Sequence, residues 1–338
     1  MNEIPPRYTG EYTAAAPAPD PHASMKREIA RLGLLAASAL VLMIVTATLL
    51  SALENLLVRV FGAFGDEAEQ IFAFFQYFLM FAPPLLLLWL TNRSRLGDMT
   101  RFLSPDANEG KLAREVVLCF PVLLGVTYAM DIVSTALSDA FARFGLFEPP
   151  LFEDEPTTAV GWVFYALTLC VVAPLCEELF FRGALLGLLK PYGAGFAVAV
   201  QAILFSVFHR TVAQMPYTLA GGLLFGFLAV RYGGILPTLL LHMLNNAFSF
   251  AIDPLFSLAG DDPLKQMLFT GALYLLAVGG GILIVALWSK RERGLFRFAA
   301  GKADDLPGLS AFRAFFLQPA MIVYLALSAY ELLAFMML

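Results

Sequence analysis

Nine apolar runs set what this 338-residue chain can fold into: 32–53, 70–90, 116–137, 160–189, 194–209, 217–230, 235–252, 266–288 and 318–338. Roughly 20 apolar residues in helical form cross the hydrocarbon core of a bilayer. The composition agrees: 59% of the residues are hydrophobic and 14% are charged, against about 25% charged in a soluble domain. So few charges cannot cover a water-soluble body of this size. In lipid every backbone group must bond within the protein, so the expected fold is all-α: a polytopic helix bundle of eight to nine spans. The shorter runs would be shielded by their neighbours. A net charge of −5 gives no reason to expect nucleic acid as a partner. Cys119, Cys170 and Cys176 lie in apolar stretches without a C-x-x-C spacing and read as packing residues.

Residues 1–25, rich in Pro, Ala and small polar residues, predict a disordered tail. They do not lead into a signal peptide, because the run from Leu32 is too long and no small-residue cleavage site comes after it. Beyond the tail come N-terminal spans over 26–159, a polar-marked core over 160–252 and C-terminal spans over 253–338. A basic loop at 289–317 (Lys290, Arg291, Arg293, Arg297, Lys302, Arg313) precedes the last span and reads as cytoplasmic, with an interfacial helix. Placing the N-terminus inside and alternating leaves Arg59, Arg143, Arg210 and Lys265 in outside loops, with Arg182 inside a span. The other basic residues collect inside, as the positive-inside rule requires. This predicts a multi-pass protein of the cell membrane with a cytoplasmic N-terminus.

Ionisable residues within spans are costly and mark function by default. The fourth run contains Pro174-Leu-Cys-Glu177-Glu178-Leu-Phe-Phe-Arg182. Glu178 and Arg182, four apart, share a helix face and can pair. Glu177 lies about 100° round the helix, free of that pair. Either one carboxylate is held ionised while the other meets a proton or substrate, or the group is a structural ion-pair cluster; this segment alone leaves both readings open. Downstream, Phe205-Ser-Val-Phe-His209 puts an aromatic ring on the histidine's face, and His242-Met-Leu-Asn-Asn246 puts an amide there. Counted from the inferred inner ends, Glu177 lies about 20 Å deep, His209 about 22 Å, Asn246 about 16 Å and His242 about 10 Å. One shared cavity is therefore possible, with Pro174 kinking its helix to admit water.

A carboxylate in low dielectric can act as general base on a water, with a histidine sharing that water. A second histidine and an amide can donate to an oxyanion. The set fits amide hydrolysis without a covalent intermediate and without a cofactor. The alternative is zinc ligated by Glu177, His209 and His242, although no H-E-x-x-H is present.

The order E-E-x-x-x-R, F-x-x-x-H, H-x-x-x-N in successive apolar segments resembles the CAAX prenyl protease and bacteriocin-processing family, the type II CAAX endopeptidases and ABI proteins. The likeness covers about 160–252. It implies an all-helical intramembrane glutamate endopeptidase in which Glu177 and His209 activate water and His242 with Asn246 form the oxyanion hole. Glu178 and Arg182 would support them, and a membrane-bound or prenylated peptide would be the substrate. Two other readings compete: a membrane scaffold or bacteriocin-immunity protein, and a proton or solute pathway. The latter ranks last, because the halves show no repeat. Asp131 reads as an unpaired carboxylate in the third span, and Gly183/Gly187 and Gly222/Gly226 as helix-packing spacings.

Overall fold

The computed structural model describes residues 22–62, 64–93, 109–148, 156–257, 260, 262–291 and 308–337. Among them there are helices and no strands. In chain order these are α1 (Ala23–Phe61), α2 (Asp66–Thr91), α3 (Glu109–Ala142), α4 (Ala159–Tyr192), α5 (Ala194–His209), α6 (Met215–Tyr232), α7 (Leu236–Ser257), α8 (Pro263–Arg291), α9 (Gly308–Phe316) and α10 (Pro319–Phe335). The predicted tail lies outside the described residues except at its end, where Ala23–Met25 already open α1. Arg293, Arg297 and Lys302 of the basic loop also lie outside them.

Every predicted run falls on a helix, but not every helix is a span by itself. Five are long and apolar enough: α1, α2, the part of α3 from Val116, α4 and α8. The α9–α10 pair adds a sixth when its 75° bend is counted as one span. The run at 194–209 forms α5, which has 16 residues. At about 1.5 Å per residue it falls short of the ~30 Å hydrocarbon core. Its apolarity serves burial within the protein: Ala197, Val200, Ala202 and Leu204 are wholly covered.

The main core joins α4 and α5 to α1, α9 and α10, with Phe180, Phe181, Leu204, Phe315 and Met321 at its centre. Outside it, α1 and α8 present Leu49, Phe61, Leu275 and Leu276 to the surroundings, each more than half exposed. Apolar surface on this scale needs a lipid environment. The chain is a multi-pass membrane protein.

Small residues draw the helices together where side chains would keep them apart. A Cβ on Gly125 of α3 would lie 2.8 Å from the Ala277 carbonyl of α8, and one on Gly281 would meet Gly125 Cα at 3.2 Å. Gly281 is therefore a packing position, and α8 runs through its three successive glycines unbroken. The Gly222/Gly226 spacing likewise packs α6 on Ala202 and Gln201 of α5. The Gly183/Gly187 spacing does otherwise: a Cβ on Gly183 would meet only the Glu178 carbonyl of its own helix, and both glycines line a cleft.

Around Pro174 the helix widens into π turns at Thr168–Val172 and Glu178–Leu185, on either side of Glu177. Such turns absorb an extra residue and occur often at functional sites.

Candidate active site

The site forms where α4, α5 and α7 meet α2. On α4, Arg182 Nη1 donates to Glu178 Oε1 at 2.8 Å, with both side chains fully covered. This is the pair expected from their spacing. The guanidinium lies over two rings, with Cζ 4.1 Å from the centroid of Phe205 and 5.0 Å from that of Phe225. Aromatic faces attract a desolvated cation, so the charge has two rings as well as a carboxylate for partners.

His242 of α7 receives both glutamates. Its Nδ1 lies 3.0 Å from Glu178 Oε1, and its Nε2 lies 3.7 Å from Glu177 Oε2. An ionised carboxylate can only accept, so Nδ1 donates to Glu178. Glu177 stays outside the Glu178–Arg182 pair, as expected, and the two carboxylates flank opposite nitrogens of one ring. Phe225 stacks against that ring at 5.1 Å.

His209, the last residue of α5, has its Nδ1 2.8 Å from the Phe205 carbonyl. A carbonyl accepts only, so Nδ1 carries the proton and Nε2 of the neutral ring keeps its lone pair. Glu177, His242 and Arg182 are its charged or titratable neighbours. The Phe205 ring meets His209 edge to face at 4.7 Å and His242 at 6.1 Å. The aromatic residue of F-x-x-x-H thus serves both histidines and the arginine. Asn246, one turn beyond His242, donates from Nδ2 to the Leu169 carbonyl of α4 at 2.9 Å. Glu177, Glu178, Arg182, His209 and His242 thus join one group of contacts through His242 and Phe205, while Asn246 ties the same helix to α4.

Three partners were not found from the sequence. Tyr77 of α2 donates its hydroxyl to Glu177 Oε1 at 2.5 Å. The available signal was a hydroxyl among phenylalanines in an apolar span, where an unpaired polar group is costly and a partner is required. Glu148, beyond α3, accepts from the backbone N–H groups of Val212 and Ala213, and Glu331 of α10 pairs with Arg210. The turn after His209 is thereby held from both sides. Arg210 adopts the left-handed region there, at φ 53°. Asp131 is not unpaired, because Tyr274 of α8 donates to it. A cleft of about 410 Å³ opens past Arg182 among Gly183, Gly187, Lys190, Ala229 and Gly233.

Among the described residues no three His, Cys, Asp or Glu side chains are grouped to hold a metal ion. Glu177, His209 and His242 bond Tyr77, a backbone carbonyl and Glu178.

Residues 159–248 match the family model "Type II CAAX prenyl endopeptidase Rce1-like". The segment belongs to the CAAX protease family. No curated protein and no solved structure matches the chain. Within the CAAX protease segment lie all six predicted residues, while Tyr77, Glu148 and Glu331 lie outside it.

Because Tyr77 orients Glu177 from outside that segment, Tyr77→Phe isolates its contribution. The ring keeps its stacking on Phe81 at 5.5 Å and loses only the hydroxyl. A hydrogen bond to a charged group is worth about 1.5–3 kcal/mol, so the maximal cleavage rate should fall about ten- to a hundredfold. The apparent KM and the melting temperature should stay near wild type. Steady-state kinetics beside thermal unfolding checks both, and an unchanged maximal rate would remove Tyr77 from the site.

Proposed function

We propose that this chain is a membrane-embedded endopeptidase in which Glu177 activates a water molecule to attack a peptide carbonyl. The observation that carries the reading is the 3.7 Å separation between Glu177 Oε2 and His242 Nε2. It is too long for a direct hydrogen bond and leaves both atoms able to contact a water lying beside the pair. Tyr77 holds the other oxygen of Glu177, leaving Oε2 to take the proton. His209 Nε2, free by its tautomer, accepts from the same water. Proton transfer by a positioned base contributes about 10²–10⁴-fold to such a reaction.

As the oxyanion develops, His242 in its protonated form donates from Nε2, with Glu178 holding its Nδ1 proton. Asn246 has two amide hydrogens; Leu169 takes one and the other turns to the oxyanion. Glu178 and Arg182 keep His242 in register. The proton accepted by Glu177 passes to the leaving amine, so no covalent intermediate and no cofactor enter the cycle. The name of the matched family suggests a prenylated CAAX peptide as substrate, reached within the bilayer near its inner face.

Purified protein in detergent should cut a prenylated CAAX peptide at one bond, located by mass spectrometry, and cut the unprenylated peptide more slowly. Cleavage should survive exhaustive chelation, with no stoichiometric zinc in the sample. A wild-type protein that leaves the peptide intact would overturn the reading; activity lost on chelation and restored by zinc would overturn the metal-free mechanism.

A further inference from the structure

The π turn ahead of Glu177 does not close all its hydrogen bonds on its own helix. The N–H of Ala173 reaches back five residues to the Thr168 carbonyl. In that register the Leu169 carbonyl would receive from residue 174, which is proline and has no N–H. Asn246 supplies the donor from α7, 77 positions along the chain. A buried carbonyl without a partner is costly, so this bond is part of what allows proline at that position.

The same helix face makes a second bond to α4. His242, one turn before Asn246, bonds Glu178 on the far side of Pro174. The two contacts straddle the proline and hold residues 169–178 against α7. A π turn contains one more residue than an α turn. Its collapse would rotate the residues after the turn by about 100° relative to those before it. The leading part of α4 is itself anchored, because Asp66 of α2 accepts from Thr158 through both its N–H and its hydroxyl. The rotation would therefore fall on Glu177 and Glu178, taking Glu177 from Tyr77 and His242.

We propose that Asn246 is a positioning residue whose amide replaces the N–H that Pro174 lacks, fixing the π turn that aims Glu177. This deepens the role assigned above, since the bond to Leu169 also sets the direction of the second amide hydrogen. Its activity arm rests on the peptidase reading.

A double-mutant cycle tests it, because Pro174→Ala restores a backbone donor beside Leu169. Asn246→Ala should lower kcat on the prenylated peptide about ten- to a hundredfold in the Pro174 background, with KM little changed. In the Pro174→Ala background the same substitution should cost severalfold less, because only the oxyanion contact is then lost, a coupling between neighbours that independent sites do not show. The drop in melting temperature caused by Asn246→Ala should shrink in parallel. Equal losses of kcat in both backgrounds overturn the proposal, since the amide would then act without the turn. The melting cycle needs no substrate. Should wild-type protein leave the peptide uncut, the peptidase reading fails, while equal melting losses in both backgrounds would separately overturn the clamp.

Discussion

Glu177→Gln abolishes peptide cleavage and leaves the protein folded. Glutamine has the shape of glutamate and keeps a carbonyl oxygen to accept from the Tyr77 hydroxyl, 2.5 Å away in the wild type. It cannot accept the proton of a water. Loss of a positioned general base costs about 10²–10⁴-fold. The residual rate should lie at the low end of detection for a membrane protease, with melting temperature and yield close to wild type. The contact of Glu177 with His242, at 3.7 Å, is looser than the 2.8 Å pair of Glu178 with Arg182, so its neutralisation disturbs the fold less. Normal cleavage by the Glu177→Gln variant would refute water activation by this carboxylate.

Arg182→Met has the largest expected effect on stability. Both members of the Glu178–Arg182 pair are fully covered. Removing one partner leaves an uncompensated buried charge, at a cost of about 3–5 kcal/mol. The loss is compounded because the guanidinium leaves the rings of Phe205 and Phe225, and Phe205 also packs on both histidines. The melting temperature in detergent should fall sharply and activity should vanish. Glu178→Gln combined with Arg182→Met removes both charges and keeps an acceptor for His242 Nδ1. The double variant should regain much of the stability, as replacement of a whole buried pair often does. A single Arg182→Met variant that melts at the wild-type temperature would show that the pair is not a structural element of the site.

The candidate site was partly legible because charge is rare in apolar helices. Against 59% hydrophobic composition, Glu177, Glu178, Arg182, His209, His242 and Asn246 stand out by chemical type. Spacing alone sufficed for Glu178 with Arg182 and for Phe205 with His209, since both are contacts within one helix, four residues apart. The same rule kept Glu177 clear of that pair but left its own partner unnamed. A regular helix separates adjacent side chains by about 100°, but a partner from another helix can lie between them, and His242 does. Tyr77 was hidden for a related reason. It lies in a phenylalanine-rich stretch, and nothing local distinguishes a tyrosine that reaches a carboxylate a hundred positions away from one that merely packs.

The span pattern divides in the same way. Length and apolarity mark α1, α2, α4 and α8 at once, because a bilayer imposes its thickness on each helix separately. The run at 194–209 is as apolar as a span but serves as a buried helix, a distinction that depends on its neighbours. The sequence by itself therefore determined the solvent, the helical class and the chemical types at the site, since each comes from single residues or from contacts within one helix. Only the tertiary structure decided which nitrogen of each histidine is engaged, that the two glutamates flank one ring, and that an asparagine completes the turn proline leaves open. Those are contacts between helices, and helix-to-helix registry is set by packing, which no local period records.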